Sequence, residues 1–433
     1  MTTTECITVV DTQHSLLISP FVAEEARRKN LPVNLSPVNS ETSSVILFES
    51  NITPERKQRA REAATQWLAR VEEFKSLNTK RPPSWRSSNE FNPIILLREL
   101  YNNASLETGG KDNLAVEILL TVLPHFKLLK VNQSWNQEYS EKPALAHYPA
   151  LVPAVEEFHN DATNKDIFAV RQRLEALGNN IYDELIKPYV SSLYFSRPAS
   201  RRRSFPSSRQ RLEDFSEYDD FDNGIVDGIL HRDGRRCLVS RELEEQTTKL
   251  RTRAESSREV KFSSLDATYI IPLTLDRDAS NINGAKQSFW ALADILDPGL
   301  RNIVWEKGLD EPDNGLTLSP KYFYKFCTLR FWLTAVSTES PNEHVYEVEH
   351  IPEENNIITK DVKSKTVTFR QGGEDGGILP NPRYLALHRL LGIAANRSGA
   401  IREIRSILSN DVEETLHEDG RDADVFRLIL MAA

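Results

Sequence analysis

The chain predicts an α+β protein, helical in its N-terminal part and mixed in its C-terminal part. Three observations carry this. Apolar residues recur at helical spacing through 55–76 and 166–187. After residue 224 the pattern breaks into short strand-like runs interleaved with helical ones. Between the two lies a stretch without apolar periodicity, basic and Ser-rich at 199–211 and acidic at 213–223.

Composition sets the outer bounds. At 433 residues the chain is long enough for two domains. With 39% hydrophobic and 27% charged residues it matches soluble globular protein rather than a disordered chain. It contains no run of about 18 apolar residues, so no membrane span is expected. The start, MTTTECITVV, lacks the basic and apolar regions of a secretory signal, and three cysteines are too few for a disulfide framework. Both features predict a cytoplasmic protein, with the nucleus as the alternative. The net charge of −9, from 54 basic and 63 acidic residues, disfavours nucleic acid as partner. It fits a small molecule or a protein better, and leaves the oligomeric state open.

Residues 1–44, rich in Thr, Ser, Pro and Asn, read as a flexible N-terminal arm. A helical domain is expected over 45–198. Thr53-Pro54-Glu55 is a helix start, with a capping Thr, Pro at the first helical position and an acid in the first turn. Ala60, Ala63, Ala64, Trp67, Leu68, Val71 and Phe74 then mark one buried face. The Trp67/Phe74 aromatics read as core rather than as a ligand box. Further helices are expected at 92–104 and 112–130. In the stripe of 166–187, Ile167, Val170, Leu174, Leu177, Ile181 and Leu185 line up, and Pro188 is expected to end the helix.

Residues 199–223 form a linker whose opposite charge blocks neutralise each other. A solvated linker explains Arg201–Ser204 more simply than a kinase site or a nuclear address. In the domain expected at 224–410, strands are predicted at 266–273, 328–336, 343–349 and 364–370. Helices are predicted at 286–296, 319–327, 382–396 and 399–409, the third opened by Asn381-Pro382. Residues 411–433 read as a C-terminal tail.

Three segments of this domain stand in a telling order: Arg-Asp-Gly-Arg-Arg-Cys-Leu-Val-Ser at 232–240, Leu-Asp-Ala-Thr-Tyr-Ile-Ile-Pro-Leu at 265–273, and Asn-Gly-Leu-Thr-Leu-Ser-Pro-Lys-Tyr-Phe-Tyr-Lys-Phe at 314–326. Arg330-Phe331-Trp332 and the run 379–388 follow. Order and apolar framing resemble the HNH nuclease domains of a large group of fungal proteins, over about 224–410. The resemblance implies a ββα-metal unit: two antiparallel strands, a long intervening loop and a short closing helix. In that group a histidine base ends the first strand, an asparagine orients it, and a histidine on the helix helps to hold a divalent cation.

By position the base is Tyr269, the asparagine Asn314 and the helix ligand Phe323. Only Asn314 survives. A tyrosine, with an ordinary pKa near 10, is a poor base at neutral pH, and a phenylalanine cannot bind a hard metal. The resemblance is thus to a degenerate member of the group, expected to hold no metal and no other cofactor. Cys237 matches a position that begins a structural zinc site in related domains, but its partner position holds Ser240. His344 and His350 share a strand face with Tyr346 and Val348. Six residues along a strand separate them by about 20 Å, too far for one metal.

Two remaining motifs read as bland. Asp219–Asn223 resembles an Asp-rich magnesium motif but lies in the linker. Gly372–Gly377 has two acids and no Lys-Ser/Thr, so it is a poor phosphate cradle.

Replacing polar ligands by aromatics favours burial of apolar surface over ion binding. Tyr269 and Asn314 are the candidate catalytic residues, as hydrogen-bond donors to a substrate carbonyl. Phe323, Tyr322, Phe326, Trp290 and Phe289 are the candidate substrate-binding residues, with filler of the void left by the metal as the simpler alternative. The function expected first is a metal-independent cyclase of cycloaddition type. It would act on an apolar terpenoid or polyketide intermediate of fungal secondary metabolism, by holding a reactive conformer. The alternatives are a non-catalytic binding or regulatory module, and an HNH endonuclease with unrecognised ligands.

Overall fold

The computed structural model describes residues 53–78, 91–123, 148–195, 223–244, 261–276, 284–336, 343–351, 365–370 and 378–410. The expected arm, the linker up to residue 222, the tail and the 372–377 loop lie outside them. The fold is α+β, in two compact units. Among described residues the first unit comprises 53–78 and 93–182, the second 91–92 and everything from Asp183 on. The boundary thus falls earlier than the expected 198, because residues 183–195 pack with the mixed part of the chain.

The first unit is helical. Helix α1 (Pro54–Asn78) turns Ala60, Ala63, Ala64, Trp67, Leu68 and Val71 inward, as its spacing predicts. It is followed by α2 (Pro93–Asn103), α3 (Gly110–Val122), α4 (Tyr148–Asp161) and α5 (Asn164–Ile181). Trp67 stacks on Phe158 at 5.2 Å, so it is core, as expected. Helix α5 starts in a capping box in which Thr163 and Asp166 bond reciprocally. Arg173 of α5 donates to the carbonyls of Thr121 (2.9 Å) and Val122 (2.8 Å) and so satisfies the end of α3. Close packing of α5 on α2 requires Gly178, where a Cβ would lie 2.5 Å from the Pro93 carbonyl oxygen.

Pro188 does not end the helix. The chain widens into a π turn at Tyr182–Ile186 and continues as α6 (Lys187–Phe195), with Pro188 at its second position. The wide turn relieves the clash that proline makes with the preceding turn and removes the need for its missing N–H.

In the second unit α7 (Asn223–Arg232) leads to two short parallel strands, β1 (Leu243–Glu244) and β2 (Phe262–Ser263). Strand β3 (Asp266–Tyr269) follows. It is shorter than expected, because Leu273–Leu275 is a 3-10 turn. Next come α8 (Gly284–Leu296), α9 (Leu300–Lys307), a 3-10 turn at Pro312–Asn314, β4 (Gly315–Leu318) and α10 (Pro320–Cys327). Strands β3 and β4 pair antiparallel from Asp266↔Leu318 to Tyr269↔Gly315, and α10 follows directly. This is a strand–strand–helix unit with a long insertion between its strands.

Helix α7 packs on this hairpin so closely that a Cβ on Gly315 would lie 2.1 Å from Ile229 Cδ1. The Arg232–Asp233 ion pair fixes the junction. Arg232 donates to the carbonyls of Pro312 (2.8 Å) and Gly315 (2.7 Å), while Asp233 accepts from Thr317 N (2.9 Å). The Arg-Asp-Gly segment is therefore a structural bolt.

A three-stranded antiparallel sheet completes the unit: β5 (Phe331–Val336), β6 (Glu343–His350) and β7 (Thr366–Arg370), in the order β5-β6-β7. The register puts His344, Tyr346, Val348 and His350 on one face, as the alternation predicts. Helix α11 (Pro382–Arg397) packs on β5, with Gly392 against Trp332, and α12 (Ala400–Asn410) follows. Among the described residues no helix is long and apolar enough to cross a membrane.

Candidate functional site

The site expected from the sequence lies where β3 ends and β4 begins. Tyr269 stands at the end of β3, 9% exposed, and its hydroxyl donates to Asp310 Oδ1 at 2.7 Å. Sequence reasoning did not single out Asp310. It is an exposed residue of the α9–β4 loop, and only the folded loop brings it to Tyr269.

Asn314 is completely buried. Its Oδ1 accepts from Ile271 N at 2.8 Å. Its Nδ2 donates to Ile271 O at 2.8 Å and to Leu309 O at 2.9 Å. Both amide hydrogens are thus committed to backbone. This corrects the expectation that Asn314 donates to a substrate carbonyl: it ties the chain after β3 to the loop before β4.

The expected aromatic cleft also divides on inspection. Tyr322 is 1% exposed and meets Phe331 edge-on at 6.1 Å. Phe326 is fully buried and stacks on His388 with ring centres 3.8 Å apart. Phe289 is fully buried between Tyr189 and Trp290, and the Trp290 indole donates to Leu275 O at 2.8 Å. These four are core, as the simpler alternative held, and the correction has a plain cause. Positions 322 and 326 lie four apart on one helix face, and that face is the inward one. Phe323 is half-buried and Tyr324 is exposed, so of the α10 aromatics these two face out.

Cys237 is buried, and its sulfur accepts from Ser240 N at 3.4 Å. Arg241 N bonds back to Cys237 O at 2.9 Å, with Arg241 in the left-handed region at φ 61°. The tight turn that a zinc site would use is present, but Ser240 directs its hydroxyl to Glu242 (2.9 Å). Among the described residues no group of three or more His, Cys, Asp or Glu side chains is placed to hold a metal ion.

His388 is a feature the sequence reading passed over. It is fully buried, and burial pushes its pKa down to about 3, so the ring is neutral. Nε2 lies 3.3 Å from Phe326 O, and Nδ1 has no hydrogen-bond partner. Stacked on Phe326 and meeting Tyr189 at 6.2 Å, it joins α10, α6 and α11 in the core.

The α9–β4 loop is the polar counterpart of this core. Asp276 Oδ2 accepts from Leu309 N at 3.0 Å, and Asp313 O accepts from Asn381 N at 2.8 Å. Burial raises the Asp313 carboxyl, against the opposing effects of Lys307, Arg232 and Asn381. Asp310, Glu311 and Asp313 make this loop acidic, and the Tyr269 hydroxyl belongs to it through Asp310.

The order of β3, β4 and α10 defines a class of architecture. No family model, no curated protein and no solved structure matches the chain.

Proposed function

We propose that the second unit is a ββα frame of the HNH nuclease type that has exchanged metal-dependent phosphodiester hydrolysis for ligand binding. The observation that carries this is Tyr269. It occupies the position of the base, and its hydroxyl is engaged with Asp310 rather than poised for water. Phe323 at the helix position offers no metal ligand, and Asn314 has become a structural brace. An acidic loop at this place repels phosphate and favours a cationic partner.

The test is a plasmid-nicking assay of the full chain with Mg²⁺ or Mn²⁺. No nicking is expected at any metal concentration. Nicking that Asn314→Ala removes but Phe323→Ala does not alter would restore the nuclease reading.

A metal-free cyclase acting on an apolar terpenoid or polyketide intermediate is the second reading. Its remaining support is the part-buried Tyr269 hydroxyl together with Phe323, since Tyr322, Phe326, Phe289 and Trp290 are sealed in the core. Thermal-shift titration with polycyclic and polyene compounds tests it. Stabilisation that Phe323→Ala abolishes favours the cyclase, and no shift with any of them removes it.

A further inference from the structure

The turn between α10 and β5 gathers cations around an exposed aromatic ring. Tyr324, on the outward side of α10, is 50% exposed, and the Arg330 guanidinium lies 5.7 Å from its ring centre. One helical turn further on, the Thr328 hydroxyl donates to Tyr324 O at 2.8 Å. Arg405 of α12 donates to Thr328 O at 2.6 Å, and Asn396 Nδ2 of α11 donates to Leu329 O at 2.7 Å. These bonds hold α11 and α12 against the C-terminal end of α10, where a cation complements the helix dipole.

Two more cations extend the row. Lys321 stands three residues before Tyr324, on the same side of α10, and Arg402 three before Arg405, on the same side of α12. Both are exposed, while Arg330 and Arg405 are half-buried. With Lys325, the stretch made of α10, the 328–330 turn and α12 carries five cations and one acid, Glu403. In a chain of net charge −9 this is a local excess of the opposite sign.

The segment after α12 has the complementary composition. Residues 411–424, which lie outside the described ones, carry seven carboxylates and one arginine. Val412 and Leu416 stand among the acids and supply apolar atoms of the kind that cover an aromatic ring. The reach is short. Helix α12 runs only five residues past Arg405, about 7.5 Å along its axis, and one turn of α10, about 5.4 Å, separates Thr328 from Tyr324. A few extended residues, at about 3.3 Å each, cover that span. A foreign polyanion would meet the negative field of the whole chain, whereas a tethered segment acts at an effective concentration on the order of millimolar.

We propose that the Lys321–Tyr324–Arg330 face of α10, continued by Arg402 and Arg405, is a docking surface for the chain's own acidic segment 411–424. Each exposed ion pair contributes little by itself and is screened by salt, so the contact depends on several pairs and on the tether. The surface is thereby closed to other anions at low ionic strength and opens as salt rises.

The experiment is carbodiimide cross-linking of the full chain at low salt, mapped by mass spectrometry. Amide bonds from Lys321 to carboxylates of 411–424 are expected, in a yield that does not depend on protein concentration. Lys307, equally open to solvent at 58% exposed but beside the acidic α9–β4 loop, is the control and is expected to give none to this segment. Arg402→Glu lowers the Lys321 yield several-fold, as does Glu413→Arg with Glu414→Arg, and combining the two sets restores it. Because these side chains lie on the surface or outside the core, a salt series on the wild type backs up the variants. About 0.5 M NaCl shortens the screening length to a few ångströms and is expected to abolish the cross-links.

An absence of Lys321 cross-links to 411–424 at low salt overturns the proposal. So do equal yields from Lys321 and Lys307, or a yield indifferent to Arg402→Glu and to salt. A yield that rises with protein concentration would make a second copy the donor of the segment and overturn it as well. Fluorescence anisotropy with a labelled oligodeoxythymidylate is the last arm: binding to the wild type as tight as to Glu413→Arg/Glu414→Arg would show the face open to a phosphate polyanion, against the proposal.

Discussion

Asn314 and Ile271 are joined by two hydrogen bonds of 2.8 Å each, Ile271 N donating to the amide oxygen and the amide nitrogen donating back to Ile271 O. The pair closes the chain just past β3 onto the residue just before β4, and a third bond reaches Leu309 O. Asn314→Ala strips partners from a buried N–H and two carbonyls. Each group left unsatisfied costs about 1–3 kcal/mol, so a loss of roughly 3 kcal/mol or more is expected in urea unfolding. Asn314→Asp is expected to be worse, because a carboxylate would face two carbonyl oxygens. A wild-type midpoint in either variant would show that the brace carries no weight.

The Arg232–Asp233 pair carries a second prediction. Both side chains are nearly inaccessible, at 4% and 0% exposed, and both bond to the backbone of the β4 region. Removing one partner strands a buried charge, so Asp233→Asn and Arg232→Ala are each expected to cost about 3–5 kcal/mol. The loss belongs to the cooperative unfolding of the second unit. A small effect, below about 1 kcal/mol, would mean that water reaches the pair.

Stability is also expected to fall with acid through His388. Its folded pKa of about 3 lies below the value of about 6.5 for an unfolded histidine. The unfolded chain therefore takes up a proton that the folded chain refuses. The contribution is complete above about pH 6.5 and is lost as the pH falls toward 3, at up to about 1.4 kcal/mol per unit. Half-buried Asp294 and buried Asp313 are raised and act in the opposite sense as they ionise, and His159 is lowered, like His388. The measurement is thus a difference: His388→Gln should flatten the slope of unfolding free energy between pH 6.5 and 4.5 relative to wild type. Parallel slopes would exclude His388 as the titrating group.

The first unit was the more legible in the sequence, because each of its elements is a long amphipathic repeat. The inward face of α1 can be read residue by residue from Ala60 to Val71. Pro188 misled because the local rule is sound but the chain had another answer, a π turn at 182–186. In the second unit the four-residue strand Gly315–Leu318 is too short to show alternation, though its partner was found from the apolar run around Tyr269. The hairpin around Tyr269 was legible as a position, while the bonds its residues make were not. The sequence placed Tyr269 and Asn314 together, but their bonds to Asp310, Ile271 and Leu309 depend on how a loop folds over 40 residues away from β3. Tyr322 and Phe326 could have been assigned to the core from their spacing, whereas nothing local marked Tyr384 or Asp313 as lacking partners.

Glycines offer a paired test of packing against backbone entropy. At Gly178 a Cβ would meet the Pro93 carbonyl at 2.5 Å, so Gly178→Ala forces α5 away from α2 and is expected to cost about 1–3 kcal/mol. At Gly228, inside α7, a Cβ would meet nothing within 4 Å. Gly228→Ala is then expected to stabilise by about 0.5–1 kcal/mol through helix propensity. Thermal melts of the two variants should move in opposite directions.

The strongest check on the frame is to put back what it lacks. Tyr269→His with Phe323→His restores the base and the helix ligand that the HNH resemblance implies, beside Asp310, whose carboxylate lies 2.7 Å from the present Tyr269 hydroxyl. Two imidazoles and a carboxylate are a sufficient set for a divalent transition metal if they converge. The double variant is expected to gain a melting-temperature rise with Zn²⁺ or Mn²⁺ that each single variant lacks, since binding to the native state alone stabilises it. Asp310→Asn in the double-variant background should reduce the gain. Equal response in single and double variants would mean that residues 269 and 323 do not face one site, and the ββα order would then be a coincidence of topology rather than a nuclease frame.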